Sequence, residues 1–113
     1  LVVILDNNHL QKMGSIKNVM GITSWRSRWK AFGWDVTSVD GHNVKKLYEE
    51  LSKKNDLGKP RLIIANTIKG KGVSIAENNP KWHWKLPNKK ELKTFAEELA
   101  ITEEEIELCK KPI

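Results

Sequence analysis

The 113-residue sequence predicts an α/β fold: a parallel β-sheet with crossover helices, followed by a helical tail. Three observations carry that prediction. Two stretches, Leu1-Val2-Val3-Ile4-Leu5 and Arg61-Leu62-Ile63-Ile64-Ala65-Asn66-Thr67, are nearly continuous in apolar residues, as in strands covered on both faces. The segments between the strands carry a helical period. The resulting strand–helix–strand–helix–strand rhythm is that of parallel strands joined by right-handed crossovers.

The elements follow in order. Residues 1–6 form the first strand, and residues 7–22 a connecting loop punctuated by Gly14 and Gly21. Thr23 or Ser24 caps a helix to about Phe32. Its Trp25, Trp29 and Phe32 fall at i, i+4 and i+7, so they share one face, and Gly33 closes it; Trp25, Trp29 and Trp34 read as core or interface. Trp34 to Val39 alternate and are β-branched, the pattern of a second strand. Asp40-Gly41-His42-Asn43 turns the chain into a helix that begins at His42 or Asn43 and runs to about Lys54. Val44, Leu47, Tyr48 and Leu51 form its apolar stripe, and Leu57-Gly58-Lys59-Pro60 breaks it. The third strand, 61–67, follows. After Pro87, Asn88 and Glu91 are placed as a capping box for a helix to about Ala100, with Leu92, Phe95, Ala96 and Leu99 inward. Thr102 and Glu105 repeat the device for a last short helix with Ile106 and Cys109 on its apolar side. This divides the chain into a body, 1–87, and a helical tail, 88–113, to which no chemistry is assigned.

Composition narrows the function. The net charge is +6, with 18 of the 20 Lys and Arg between Lys12 and Lys93, and six of the 14 acids between Glu97 and Glu107. The basic residues are scattered rather than stacked on one helix, which argues against nucleic acid and fits either a phosphorylated small molecule or plain surface charge. No stretch approaches the ~20 apolar residues of a membrane span, and the five-residue apolar run at the start, with no charged region before it, is not expected to be a signal peptide. The single cysteine, Cys109, excludes an internal disulfide and fits a reducing, cytoplasmic compartment. The chain opens at Leu1, without Met, inside what reads as a central strand, so a fragment of a longer chain is expected.

Two stretches carry candidate chemistry. Asp6-Asn7-Asn8-His9-Leu10-Gln11 puts amide and carboxylate oxygens at the carboxyl end of a strand, the edge where open α/β sheets bind ligands. Such hard oxygens suit Mg²⁺ or Ca²⁺; the plainer reading is a polar turn. In Thr67-Ile68-Lys69-Gly70-Lys71-Gly72-Val73 the paired glycines can bring backbone N–H groups to a phosphate, with Lys69 and Lys71 adding charge, although the P-loop ending is missing. Farther on, Trp82-His83-Trp84 is either an active-site loop or a loop pinned by two indoles with His83 packed between them.

Taken together, Leu5-Asp6-Asn7-Asn8-His9-Leu10-Gln11, Phe32-Gly33-Trp34-Asp35-Val36, Val39-Asp40-Gly41-His42, Thr67 to Ser74, Glu77-Asn78-Asn79 and Trp82-His83 resemble transketolase. The nearest likeness is to the N-terminal, pyrophosphate-binding section of the two-chain type, over about residues 1–87. The resemblance implies the second part of a thiamine-diphosphate-binding fold. It implies thiamine diphosphate and Mg²⁺ as cofactors, with Ca²⁺ as a substitute, and transfer of a two-carbon ketol unit between sugar phosphates. By the resemblance Asn8 would ligate the metal through its side chain and Leu10 through its backbone carbonyl. Ile68 and Gly70 would lie against the cofactor, and His83 would bind cofactor phosphate and substrate oxygens as the catalytic residue.

The resemblance also implies a partner chain or domain that supplies the pyrimidine-binding half, in a dimer or heterotetramer, so that this chain alone is inactive. The Gly-Asp-Gly half of the family's metal motif is not among these residues. His9 and Trp84 stand where glycine is frequent, and would narrow the site or change substrate choice. A deoxyxylulose-phosphate-synthase-like enzyme shares the Lys-Gly-Lys-Gly stretch and a later His, while Glu77-Asn78-Asn79-Pro80 leans to transketolase. A non-catalytic partner-binding α/β fragment is the reading from another class.

Overall fold

A computed structural model describes residues 1–54 and 58–109. The chain forms two compact units, Leu1–Ile68 and Lys69–Ile113.

The first unit is built on three parallel strands, β1 (Val2–Asn7), β4 (Asp35–Asp40) and β5 (Arg61–Asn66), in the order β1-β5-β4. The register pairs Val2, Arg61 and Asp35 at one end and Asn7, Asn66 and Asp40 at the other. The chain passes from β1 over β5 to β4 and returns into the gap. Right-handed crossovers in opposite directions put their helices on opposite faces. On one face Val36, Leu62 and Ile64 form the core, packed by Val3, Leu5, Trp25, Trp29 and Trp34. The first two indoles come from α2 (Trp25–Ala31), capped by Ser24. Trp34 meets Trp29 edge-on at 4.7 Å. Toward the other face, α3 (Val44–Ser52), capped by Asn43, offers its last carbonyls to Arg61, whose guanidinium donates to Lys53 O at 2.9 Å and Glu50 O at 2.5 Å. Those bonds explain how an arginine can be buried at the start of the central strand.

Four expectations need correction. The apolar run 1–5 is not covered on both faces: among the described residues nothing covers Val2 and Ile4, which are 42% and 52% exposed. Apolar periodicity does not show which faces of a strand are covered. Residues 7–22 are not all loop. β2 (Leu10–Gln11) and β3 (Gly14–Ser15) form a short hairpin, and Ser15 caps α1 (Ile16–Met20). These elements are too short to show a period. Phe32 does not share a face with Trp25 and Trp29: α2 ends at Ala31 and Phe32 is exposed, while Trp25, Trp29 and Trp34 pack on the core as expected. In α3 only Leu47 of the expected stripe is half-buried; Val44, Tyr48 and Leu51 are exposed. The break after α3 begins at Leu57, which lies outside the described residues.

The second unit begins with a compact turn from Lys69 to Asn79. It continues through a single 3₁₀ turn (Pro80–His83) into α4 (Lys89–Glu98) and α5 (Glu103–Cys109). Asn88 and Glu91 form the expected capping box. Thr102 and Glu105 bond reciprocally at the start of α5. Of the expected inward residues of α4, Phe95 and Ala96 are half-buried, while Leu92 and Leu99 are exposed. Ile106 is half-buried, and the expectation for the Cys109 side chain lies outside the described residues. Among the described residues no helix is long and apolar enough to cross a membrane.

Candidate functional site at the strand ends

The carboxyl edge of the first unit is held by side chains from distant parts of the chain. Asn7 is buried, and its Nδ2 donates to Asn66 Oδ1 at 2.8 Å. Asn66 Nδ2 donates to Ser38 Oγ at 2.9 Å and Val39 O at 3.2 Å. One polar rung thus crosses β1, β5 and β4. Beside the rung, Thr67 Oγ1 donates to Asp6. Gly41 N–H donates to Asn66 O at 2.8 Å, and Ile68 N–H donates to His42 Nε2 at 2.8 Å.

Asn8 and Leu10 lie on one tight turn. Asn8 Oδ1 accepts the Leu10 N–H at 2.9 Å, an Asx turn that draws the amide oxygen over the following backbone. The residue between them, His9, has φ +61°. That left-handed conformation gives the physical reason for a glycine here: only glycine adopts it without strain. A cavity of about 470 Å³ opens on this edge, and Asn7, His9, Lys17, Arg26, Ser38 and Asn66 are among the residues lining it. Its charged lining is basic throughout.

Among the described residues no three His, Cys, Asp or Glu converge as a metal cluster. The oxygen donors at this edge are the Asn8 amide oxygen, backbone carbonyls, and the Asp6 and Asp40 carboxylates, which already accept from Thr67 and from the His42 N–H. Such hard oxygens suit Mg²⁺ bound together with a ligand's own phosphate oxygens and water. Asn8 Oδ1 retains a second lone pair beyond the one used by Leu10 N–H. The donor set present here therefore fits part of such a site.

The second unit holds Gly70 and His83. Gly70 has φ +72°, and a Cβ built on it would sit 2.6 Å from Ala76 O, so the loop closes only with glycine there. The loop spends many of its donors on itself. Val73 N–H bonds Gly70 O at 3.1 Å, Asn78 N–H bonds Lys69 O at 3.0 Å, and Gly72 N–H bonds Glu77 Oε1 at 3.1 Å. The Gly72 N–H expected to face a phosphate is thus already engaged, and Lys71 pairs with Glu77 at 3.7 Å. Ser74 donates through N–H and Oγ to Glu98, which holds that carboxyl below the usual carboxylate range. Lys85 likewise lowers Glu91, with help from the Asn88 N–H.

His83 is exposed at the end of the 3₁₀ turn. It is not packed between the two indoles. Trp82 alone is the anchor, with Nε1 donating to Ile75 O at 2.8 Å and its ring 5.0 Å from Phe95; Trp84 is 60% exposed. The imidazole has no hydrogen-bond partner among the described residues.

The structure thus links Asn8 to Leu10 directly and places Ile68 at the exit of β5 in the same unit. His42 and Asn66 are the edge residues that sequence reasoning gave no role. The only signals were a His in the turn that follows a strand and a polar residue closing an apolar strand.

Fold and edge define an α/β domain whose polar side chains gather at the carboxyl ends of parallel strands, the edge where open α/β sheets bind ligands. The chain belongs to the family described as transketolase, thiamine diphosphate binding domain, which it matches over residues 1–111. It is 37% identical over 110 residues to an apulose-4-phosphate transketolase subunit from Phocaeicola vulgatus, covering 95% of this chain and 38% of that protein. With the corresponding apulose-4-phosphate transketolase subunit from Actinobacillus succinogenes it shares 36% identity over 99 residues, 88% of this chain and 36% of that one. The crystal structure of a Campylobacter jejuni transketolase superposes with a TM-score of 0.76 at 26% identity, covering 88% of this chain and 16% of that one. The chain therefore spans little more than a third of these two curated relatives.

Proposed function

We propose that this chain is part of a transketolase-like enzyme that moves a two-carbon ketol unit between sugar phosphates, using thiamine diphosphate held through Mg²⁺. The observation that carries this reading is the Asn8–Leu10 turn, which presents an amide oxygen and a backbone carbonyl at the carboxyl edge of a parallel sheet in a chain of this family. Asn8 Oδ1 and the Leu10 carbonyl hold the metal, and Ile68 and Gly70 lie against the cofactor. When bound, thiamine diphosphate supplies the electron sink for breaking and making the carbon–carbon bond. His83, exposed and without a partner among the described residues, hydrogen-bonds the cofactor phosphate and substrate oxygens and assists proton movement during transfer.

Functionally the chain is a cofactor-binding body, 1–87, with a helical tail, 88–113. It works in the cytoplasm with a second chain or domain that supplies the pyrimidine-binding half, as a dimer or heterotetramer. Support for a partner comes from the two apulose-4-phosphate relatives, each of which is named as one subunit of its transketolase.

The test uses the complete enzyme with its partner. Calorimetry should show thiamine diphosphate binding that requires Mg²⁺ or Ca²⁺, and Asn8→Leu should abolish the metal requirement together with tight binding. His83→Ala should lower ketol transfer about a hundredfold in kcat. Unchanged transfer removes His83 from the site. Turnover with pyruvate as donor and none with a ketose phosphate would favour the deoxyxylulose-phosphate-synthase reading instead.

A further inference from the structure

We infer that His42 is a positioning residue: its imidazole fixes the peptide of Ile68 and so sets the wall that Ile68 offers the cofactor. The cofactor half of this inference rests on the function proposed above; the latch itself rests on geometry within the first unit. The ladder of β5 ends at Asn66, and the next N–H, that of Thr67, still reaches Asn7 O at 3.4 Å. Ile68 N–H is beyond the ladder. Its acceptor is His42 Nε2, 26 residues earlier, at 2.8 Å.

The imidazole is delivered there by a loop with no slack. Gly41 N–H bonds Asn66 O, and a Cβ on Gly41 would stand 2.5 Å from Thr67 Cγ2 and 3.1 Å from Asn66 O. Only glycine lets the β4–α3 loop seat on the end of β5. Asp40 Oδ1 then takes the His42 N–H at 3.0 Å and turns the next residue toward Ile68. On the far side Thr67 Oγ1 is bonded to Asp6. The Thr67–Ile68 segment is thus held from β1 and from the β4–α3 loop at once. An imidazole that accepts through Nε2 and is neutral carries its proton on Nδ1. His42 therefore acts as an acceptor here.

The test compares wild type, His42→Leu and His42→Gln in the complete enzyme with its partner. Leucine fills similar space without an acceptor; glutamine returns an acceptor near the position of Nε2. Two readouts are taken: amide hydrogen exchange of the peptide spanning Thr67 to Lys69, and the Kd for thiamine diphosphate with Mg²⁺, set against kcat at saturating cofactor. A single net hydrogen bond predicts about three- to tenfold faster exchange and a Kd raised by a similar factor in His42→Leu, with kcat nearly unchanged and both effects reversed in His42→Gln. Unchanged exchange in His42→Leu overturns the latch. Faster exchange with unchanged Kd overturns its role toward the cofactor. Loss of binding in both variants with wild-type exchange also overturns it. If wild type itself binds no thiamine diphosphate, the proposed function fails, and the exchange arm still decides whether His42 holds Ile68.

Discussion

The strand-end edge of the first unit and the Lys69–His83 loop of the second are organised in opposite ways. At the edge, order comes from side chains remote in sequence: Asn7 with Asn66, Asp6 with Thr67, and His42 with the Ile68 peptide. In the loop, order comes mostly from the backbone bonding itself within a few residues, around one glycine that no other residue can replace without strain. The Ser74–Glu98 pair is the loop's main long-range tie. The difference teaches where each region is vulnerable. The edge fails when a polar side chain loses its distant partner, and the loop fails when a local conformation is denied.

The largest expected effect tests the loop. Gly70→Ala forces a Cβ against the Ala76 carbonyl in a left-handed conformation. Conformational cost and overpacking together destabilise the second unit by about 3 kcal/mol. Amide exchange should accelerate at Val73, Ala76 and Glu77, whose N–H groups bond within the loop, and stay as in wild type along β5. Acceleration along β5 to the same degree would break the comparison, because the loop would then not be locally determined.

The edge is tested next. Asn66→Leu removes the bonds to Asn7, Ser38 and Val39 and strands the buried Asn7 amide. The cost is about 2 kcal/mol, chiefly the unsatisfied Nδ2. Urea unfolding should show a lowered midpoint with an unchanged slope. A shift below about 0.5 kcal/mol would mean that the rung is ornamental and that the ladder alone sets the edge.

The same contrast explains what could be read in advance. The central strand, the caps Ser24, Asn43 and Asn88, and the Asn8–Leu10 turn were legible because each is written in neighbouring residues. The roles of His42 and Asn66 were not legible, because each acts on a residue 26 or more positions away and needs the topology first. The exposure of Val2 and Ile4 was missed for a related reason: whether a face of a strand is covered depends on what packs against it, not on the strand's own composition. His9 is the intermediate case. Its unusual place in the family's pattern was visible, but the cause, a positive φ between two residues of one turn, appears only in the structure.

The smallest effect runs in the stabilising direction and sharpens the account of local order. At the end of α4, Ala100 N–H bonds Glu97 O at 3.3 Å and Ile101 N–H bonds Ala96 O at 2.9 Å, the double closure of a Schellman motif. The residue at its left-handed position is Ala100, with φ +53°. A Cβ is penalised in that conformation, and glycine is the usual occupant. Ala100→Gly should therefore relieve about 1 kcal/mol of strain, offset in part by the greater freedom of glycine in the unfolded chain. The net gain, about 0.5 kcal/mol, should appear as slower exchange at the Ile101 amide. It should leave the Asn66 and Ile68 region untouched. A loss of stability would show that this helix end depends on the alanine methyl, and that the second unit is less governed by backbone conformation than the Gly70 loop indicates.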